Sequence, residues 1–269
     1  MKKPTLIVLC LLLLLPTLAL CQTRKPQNKP YIDLRPLHFG ISVGLNLQDL
    51  EFENVGPQLM EDGTTRTVLC DADTWNPGFS VGVLADLRLN NHFSFRIAPT
   101  MHFGSKRLVF RDLDGQRKEI TPVADDGETT EPLPTTDGQT WEFVVTESTQ
   151  DMKNTYLSIP LELKFAAERF NNYRPYMLFG VNPMINLTGK DQEFIQLKRM
   201  DTQIELGMGC DFYLPFFKFI PEIKFCYGLG DVLDKSHVEE LTDVNKRIYS
   251  QSVASAKPSK MFVISFYFE

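Results

Sequence analysis

Four side chains capable of acid–base or nucleophilic chemistry, His38, Ser42, Asp86 and His102, occupy the polar positions of three alternating segments. A serine hydroxyl beside an imidazole that a carboxylate orients is the arrangement that makes a nucleophile. Nothing in the spacing forces these residues together, so His and Ser groups satisfied by hydrogen bonds inside the fold are the simpler reading. The chain has no HExxH, no GxSxG and no Walker sequence, and no enzymatic activity is expected. Metal chemistry is equally unsupported. Past residue 21 the cysteines are Cys70, Cys210 and Cys226, without CxxC spacing; Cys210 and Cys226 fall on opposite faces, so no obligate disulfide is expected. Asp71, Asp73 and "ADDGETTE" (Ala124 to Glu131) lack the ordered ligands of a calcium loop and read as solvated loop acids. No cofactor is expected.

A second set of charged residues is more informative. Asp86, Glu162, Glu205, Asp211 and Glu222 stand against Arg88, Arg96, Lys164, Lys218 and Lys224, five of each sign, each flanked by apolar neighbours. Charges confined to a tight interior need partners, and equal numbers make pairing feasible. The elements that carry them repeat every two residues, as strands with two environments do. "YLSIPLELKF" (Tyr156 to Phe165) shows it best: Leu157, Ile159, Leu161, Leu163 and Phe165 share one face, Ser158, Pro160, Glu162 and Lys164 the other. Like segments run over Leu37–Leu47, Phe79–Leu89, Phe93–Phe103, Pro175–Leu187, Met200–Leu214, Phe217–Tyr227 and Met261–Phe268, giving eight strands.

The connections alternate in length. About thirty residues follow the first strand, whereas "NN" (Asn90, Asn91) and "PF" (Pro215, Phe216) make turns of two. Short turns on one side and long loops on the other are the plan of an outer-membrane barrel, with both termini periplasmic. A soluble lipocalin-type barrel has the same alternation with its apolar face inward, but its water-facing side would be rich in long charged residues. Here the polar face is rich in Gly, Ser, Asn and Ala, which suits a narrow lumen, and the last strand ends Phe262, Ile264, Phe266, Phe268. The expected fold is therefore all-β, an eight-stranded antiparallel transmembrane β-barrel with long extracellular loops. Pro160 conflicts with a closed ladder, and a bulge or a local break in pairing is expected there.

The first residues, "MKKPTLIVLCLLLLLPTLALCQ", read as a signal peptide over 1–21 cleaved after Cys21. Leu20 stands where a lipoprotein would have a small residue before its cysteine. Residues 22–35, basic and proline-bearing, read as a periplasmic N-terminal tail, extended and free; residues 36–269 form the barrel. Without Lys2 and Lys3 the chain keeps 26 basic against 34 acidic residues, a net −8 that makes nucleic acid an improbable partner. The membrane is reached by alternate strand positions, and outer-membrane lipid is the expected contact.

In "RPLHFGISVGLNLQDLEF" (Arg35 to Phe52), "NPGFSVGVLADLRLN" (Asn76 to Asn90), "YLSIPLELKF", "RPYMLFGVN" (Arg174 to Asn182) and "ELGMGCDFYLPFFKFIPEIKFCYGLGDVL" (Glu205 to Leu233), the chain resembles the PorT family of outer-membrane proteins of the Bacteroidota type IX secretion system. The pieces occur in family order and cover most of the barrel. The resemblance implies a membrane component needed for export of cargo with C-terminal sorting domains, linked to gliding motility in some members. It implies other components of that system as partners and no small-molecule substrate. The segment from Phe110 to Asn154 carries none of the resemblance.

Overall fold

The computed structural model describes residues 26–59, 65–72, 76–113, 117–119, 141–143, 146–188, 193–241 and 243–269. The signal-peptide reading, Asp73 and the acidic run 124–131 lie outside the described residues.

Among the described residues fourteen segments are strands. β1 (Leu37–Asn54), β2 (Pro57–Leu59), β3 (Thr65–Ala72) and β4 (Pro77–Arg88) are followed by β5 (Phe93–Ile97), β6 (Thr100–Asp112), β7 (Arg117–Glu119) and β8 (Trp141–Phe143). Then come β9 (Thr146–Ser158), β10 (Leu161–Ala166), β11 (Tyr173–Asn186), β12 (Met200–Tyr213), β13 (Lys218–Gly228), two short helices α1 (His237–Glu240) and α2 (Val244–Gln251), and β14 (Val253–Phe268). Antiparallel pairing runs from β1 through β4, β5, β10, β11, β12, β13 and β14 back to β1. The ring has eight wall strands because β5 with β6, and β9 with β10, are single strands interrupted at proline. Closure leaves no free edge in the wall.

Of the two outcomes expected at Pro160, the structure has the break. Ile97 faces Leu161 and Thr100 faces Ser158 on one register line, so the ladder opens without slipping. Ile159, flanked by Pro99 and Pro183, still donates its N–H to the Pro183 carbonyl at 3.0 Å.

The outward face of the ring is exposed and apolar, with Phe39 at 67%, Met177 at 54% and Phe179 at 55%. The inward face holds glycine, serine, asparagine and the charged residues. In water this arrangement would be inverted; in hydrocarbon it is the stable one.

Beyond the ring, on the side of the long connections, four wall strands continue and their polarity changes face. Along β1 the outward side chains are apolar to Leu47, then become Asp49, Glu51 and Glu53, while the inward ones become Leu50 and Phe52. Along β6 the outward Met101 and Phe103 give way to Ser105, Arg107 and Arg111, and the inward positions become Leu108 and Phe110. Cross-strand pairs Arg107–Asp151 (2.8 Å) and Arg111–Glu147 (3.0 Å) decorate the β6–β9 hairpin. The change of phase marks where lipid ends and water begins. Above it Leu50, Val68, Cys70, Leu108, Phe110 and Met152 pack with Phe194, Ile195, Leu197, Val232, Leu233, Ile248, Tyr249, Val253 and Ala256. The expected long loops are thus strand extensions, β3, α2 and loop segments folded into one apolar cap.

At the opposite, short-turn end the N-terminal segment is not the free, extended tail expected. Residues 32–34 form one 3₁₀ turn. Asp33 accepts a hydrogen bond from the Tyr213 hydroxyl at 2.6 Å and pairs with Arg169 (3.5 Å) and Arg174 (3.8 Å). Asn28 donates to Asn172 and to the Tyr213 carbonyl, and Arg169 donates back to the Asn28 and Lys29 carbonyls. The segment lies pinned across the barrel's short-turn mouth.

Candidate functional site: the ion-paired lumen

Each lumen charge is placed by the two-residue period of its strand, and register decides its neighbours. Asp86 faces Arg96 across β4 and β5, and Arg96 faces Glu162 across β5 and β10. Arg96 is fully buried at the centre, with Nη1 at 2.6 Å from Glu222, Nη2 at 3.4 Å from Asp86 and Nε at 3.9 Å from Glu162. Its guanidinium carbon lies 5.4 Å from the Tyr176 ring centre and 5.3 Å from that of Tyr267. Tyr176 also donates its hydroxyl hydrogen to Glu222.

From this centre the chain of pairs runs both ways. Toward the short-turn end, Lys164 sits 3.8 Å from Asp86 and 3.0 Å from Asp211. Lys218 then bridges Asp211 (3.2 Å) and Glu269 (3.0 Å), and Glu269 contacts His38. Toward the long-loop end, Lys224 bridges Glu222 (3.4 Å) and Glu162 (2.6 Å). A guanidinium can serve three carboxylates at once because its five N–H groups form a rigid fork, and here that shape makes Arg96 the hub.

Eight of the ten residues expected in the lumen network are joined in this way. Arg88 is not among them: its guanidinium is at the rim, bonded to the Asn90 carbonyl (3.3 Å) and Asn91 Oδ1 (2.6 Å) of the short turn. Glu205 is buried in the lumen but stands outside the ion pairs, and the Cys226 thiol lies 3.9 Å from its Oε2. Sequence alone did not enlist Glu269, which sits beyond the last strand, yet backbone bonds to Lys218 hold it at the lumen base. Its position one step past an alternating strand was the available signal.

The four residues with catalytic potential do not form a relay: His38 faces Asp86 across β1 and β4, but no hydrogen bond joins them. His102 shares hydrogen bonds with Ser80 (2.8 Å) and Ser158 (3.1 Å), His38 is with Glu269, and Asp86 is held by Arg96 and Lys164. The His102 ring thus has a hydroxyl on each nitrogen and no carboxylate to orient it. Cys70, Cys210 and Cys226 are free thiols. In the cap, burial and then the nearby Asp71 push the Cys70 thiol up to about 12, so it stays protonated. Among the described residues no group of three or more His, Cys, Asp or Glu is placed to hold a metal ion.

The arrangement can hold charge and exclude passage. Side chains and their ion pairs fill the interior at mid-height, the apolar cap covers one mouth, and residues 26–35 cross the other. The sequence matches the model of the outer membrane protein β-barrel domain over residues 22–234. A comparison with curated proteins finds no match. Among solved structures the chain is similar to the outer membrane protein OprG from Pseudomonas aeruginosa, at 10% identity and TM-score 0.40 over 92% of this chain and 96% of that one. It is also similar to Ail of Yersinia pestis in complex with the heparin analogue sucrose octasulfate, at 14% identity and TM-score 0.31 over 86% and 97%. A third similarity is to AlkL in DMPC bilayers, at 12% identity and TM-score 0.33 over 93% and 94%. With the family model covering most of its length, the chain belongs to the outer membrane protein β-barrel domain family, and its setting is the outer membrane.

Proposed function

We propose that this barrel is a non-conducting, non-enzymatic component of the Bacteroidota type IX secretion system, of the PorT type, needed for export of cargo with C-terminal sorting domains. Two things support the reading: the five segments in family order between Arg35 and Leu233, and a lumen occupied by its own side chains. The second carries most weight. An interior closed by the Arg96 hub leaves no path for a folded protein, so the role in export is accessory and is exercised through surfaces. The resemblance to that family also implies a link to gliding motility in some members. In this reading the short turns and both termini face the periplasm, and the cap faces outside. Its partners are membrane lipid and other secretion components.

Deletion of the gene tests it. Cargo bearing C-terminal sorting domains should accumulate in the periplasm, and a plasmid copy should restore its surface display. Normal display in the deletion strain rejects the secretion role and leaves a small structural or adhesive barrel.

A further inference from the structure

The lipid-facing wall of the ring sinks where four small outward side chains lie side by side. Pro175 of β11 faces Cys210 of β12, Cys210 and Pro221 of β13 fall on one register line, and Ala167, just past β10, donates its N–H to the Pro175 carbonyl at 3.0 Å. These four make a floor. Toward the long loops the next outward row is Phe165, Met177, Met208, Ile223 and Ile264, and toward the short turns it is Tyr173, Phe212, Phe219 and Phe268. Phe266, which faces Pro221, closes one end. The resulting groove has a volume of about 770 Å³, against about 30 and 10 Å³ for two cavities of the lumen. That is the size of a ligand site.

The lining is apolar. Tyr176 and Glu222 lie beneath the floor, but their polar ends are turned inward to each other and to Arg96. The groove is continuous with the wall's hydrocarbon-facing band, so its occupant comes from the membrane. Left empty, it would forfeit dispersion contacts, and an apolar hollow does not hold water. Its floor crosses four strands, about 14 Å at the usual strand spacing, and each flanking row stands about 7 Å away, two residues along a strand. With those side chains in place, the space is too narrow for a helix of about 10–12 Å. A single unbranched hydrocarbon chain fits it.

We propose that this groove is a lipid site holding one acyl chain of a phospholipid from the leaflet at the short-turn side, kept there by shape while the surrounding lipid exchanges. Native mass spectrometry of the full-length barrel, carried from phosphatidylethanolamine vesicles into detergent, reads it out. Wild type should retain one phosphatidylethanolamine after washing that strips the lipid shell. Cys210→Trp, which fills the floor, should lose that adduct and keep the heat-resistant folded band. Met208→Ala, a milder change that lowers one side, should reduce the retained fraction. Val181→Trp, at an exposed outward position of β11 away from the groove, should retain the lipid, and so should Cys210→Ala, because shape and not the thiol is recognised. Glycerophosphoethanolamine, which has no acyl chains, should give no adduct. Wild type emerging without lipid, or lipid retained equally by Cys210→Trp and Met208→Ala, would overturn the proposal. So would an adduct with glycerophosphoethanolamine, which puts recognition at the headgroup, or a mass of two chains that Cys210→Trp abolishes, which makes the groove an interface between copies.

Discussion

The molecule has two interiors built from the same strands on opposite principles. In the ring β1 turns His38, Ser42 and Asn46 inward and leaves Phe39, Ile41 and Val43 outside; a few residues on, the same strand turns Leu50 and Phe52 inward and Glu51 outside. The solvent explains the difference. Against hydrocarbon, burying apolar groups contributes nothing, so the lumen is held by ion pairs that would be unpaired nowhere cheaper. Against water the hydrophobic effect returns, and the cap is an ordinary apolar core. The lumen therefore depends on each partner being present, whereas the cap depends on volume being filled.

That contrast fixes what should break each region. Arg96→Met should have the largest effect, about 3–5 kcal/mol, because it strands Asp86, Glu162 and Glu222 without their shared cation. Loss of the heat-resistant folded band on gels, together with a lower urea midpoint, would register it. Phe110→Ala should cost about 3–4 kcal/mol but only within the cap, where its ring packs on Phe194 and Tyr249 at 5.2 and 5.6 Å. Proteolysis should then nick the cap while the ring fragment stays resistant; joint collapse of both would mean that the two interiors are one cooperative unit.

A smaller effect, about 1–2 kcal/mol, is expected for Asp231→Asn, which weakens a carboxylate that accepts hydrogen bonds from the backbone of Leu233 and Ala256, each at 3.0 Å. Burial alone would raise the Asp231 carboxyl, but these N–H groups and Lys198 hold it below the ordinary range. Since the folded value lies below the unfolded one, this tie is present above the usual carboxylate range and is lost as pH falls through the folded value. Protease sensitivity of the cap should rise with acid in the wild type and be already raised and flat in the variant. Arg88→Ala should be nearly silent, about 0.5 kcal/mol or less, because its bonds are at the exposed rim. An effect as large as that of Arg96→Met would return Arg88 to the lumen network.

The ring was legible in the sequence because a closed wall makes every residue answer to lipid or lumen, and the period of two survives even at Pro99 and Pro160. The buried charges were legible for the same reason, since Arg96 or Lys164 in a lipid-bounded strand can point only inward. Pairing was not, because it depends on register between strands distant in the chain, which assigned Arg88 to the rim and brought in Glu269. The cap was missed because the polarity of β1 changes face between Leu47 and Leu50, and a pattern that changes phase resembles the end of a strand. The pinned N-terminal segment depends on Tyr213, Arg169 and Arg174, contacts of high sequence separation that local composition does not reveal.

The closed lumen is tested most directly by electrical recording of the purified full-length barrel in planar lipid bilayers. Insertion without stepwise current at either polarity is the result predicted for an interior filled by ion pairs and covered at both mouths. Steady, ohmic conductance steps from the intact protein would contradict it.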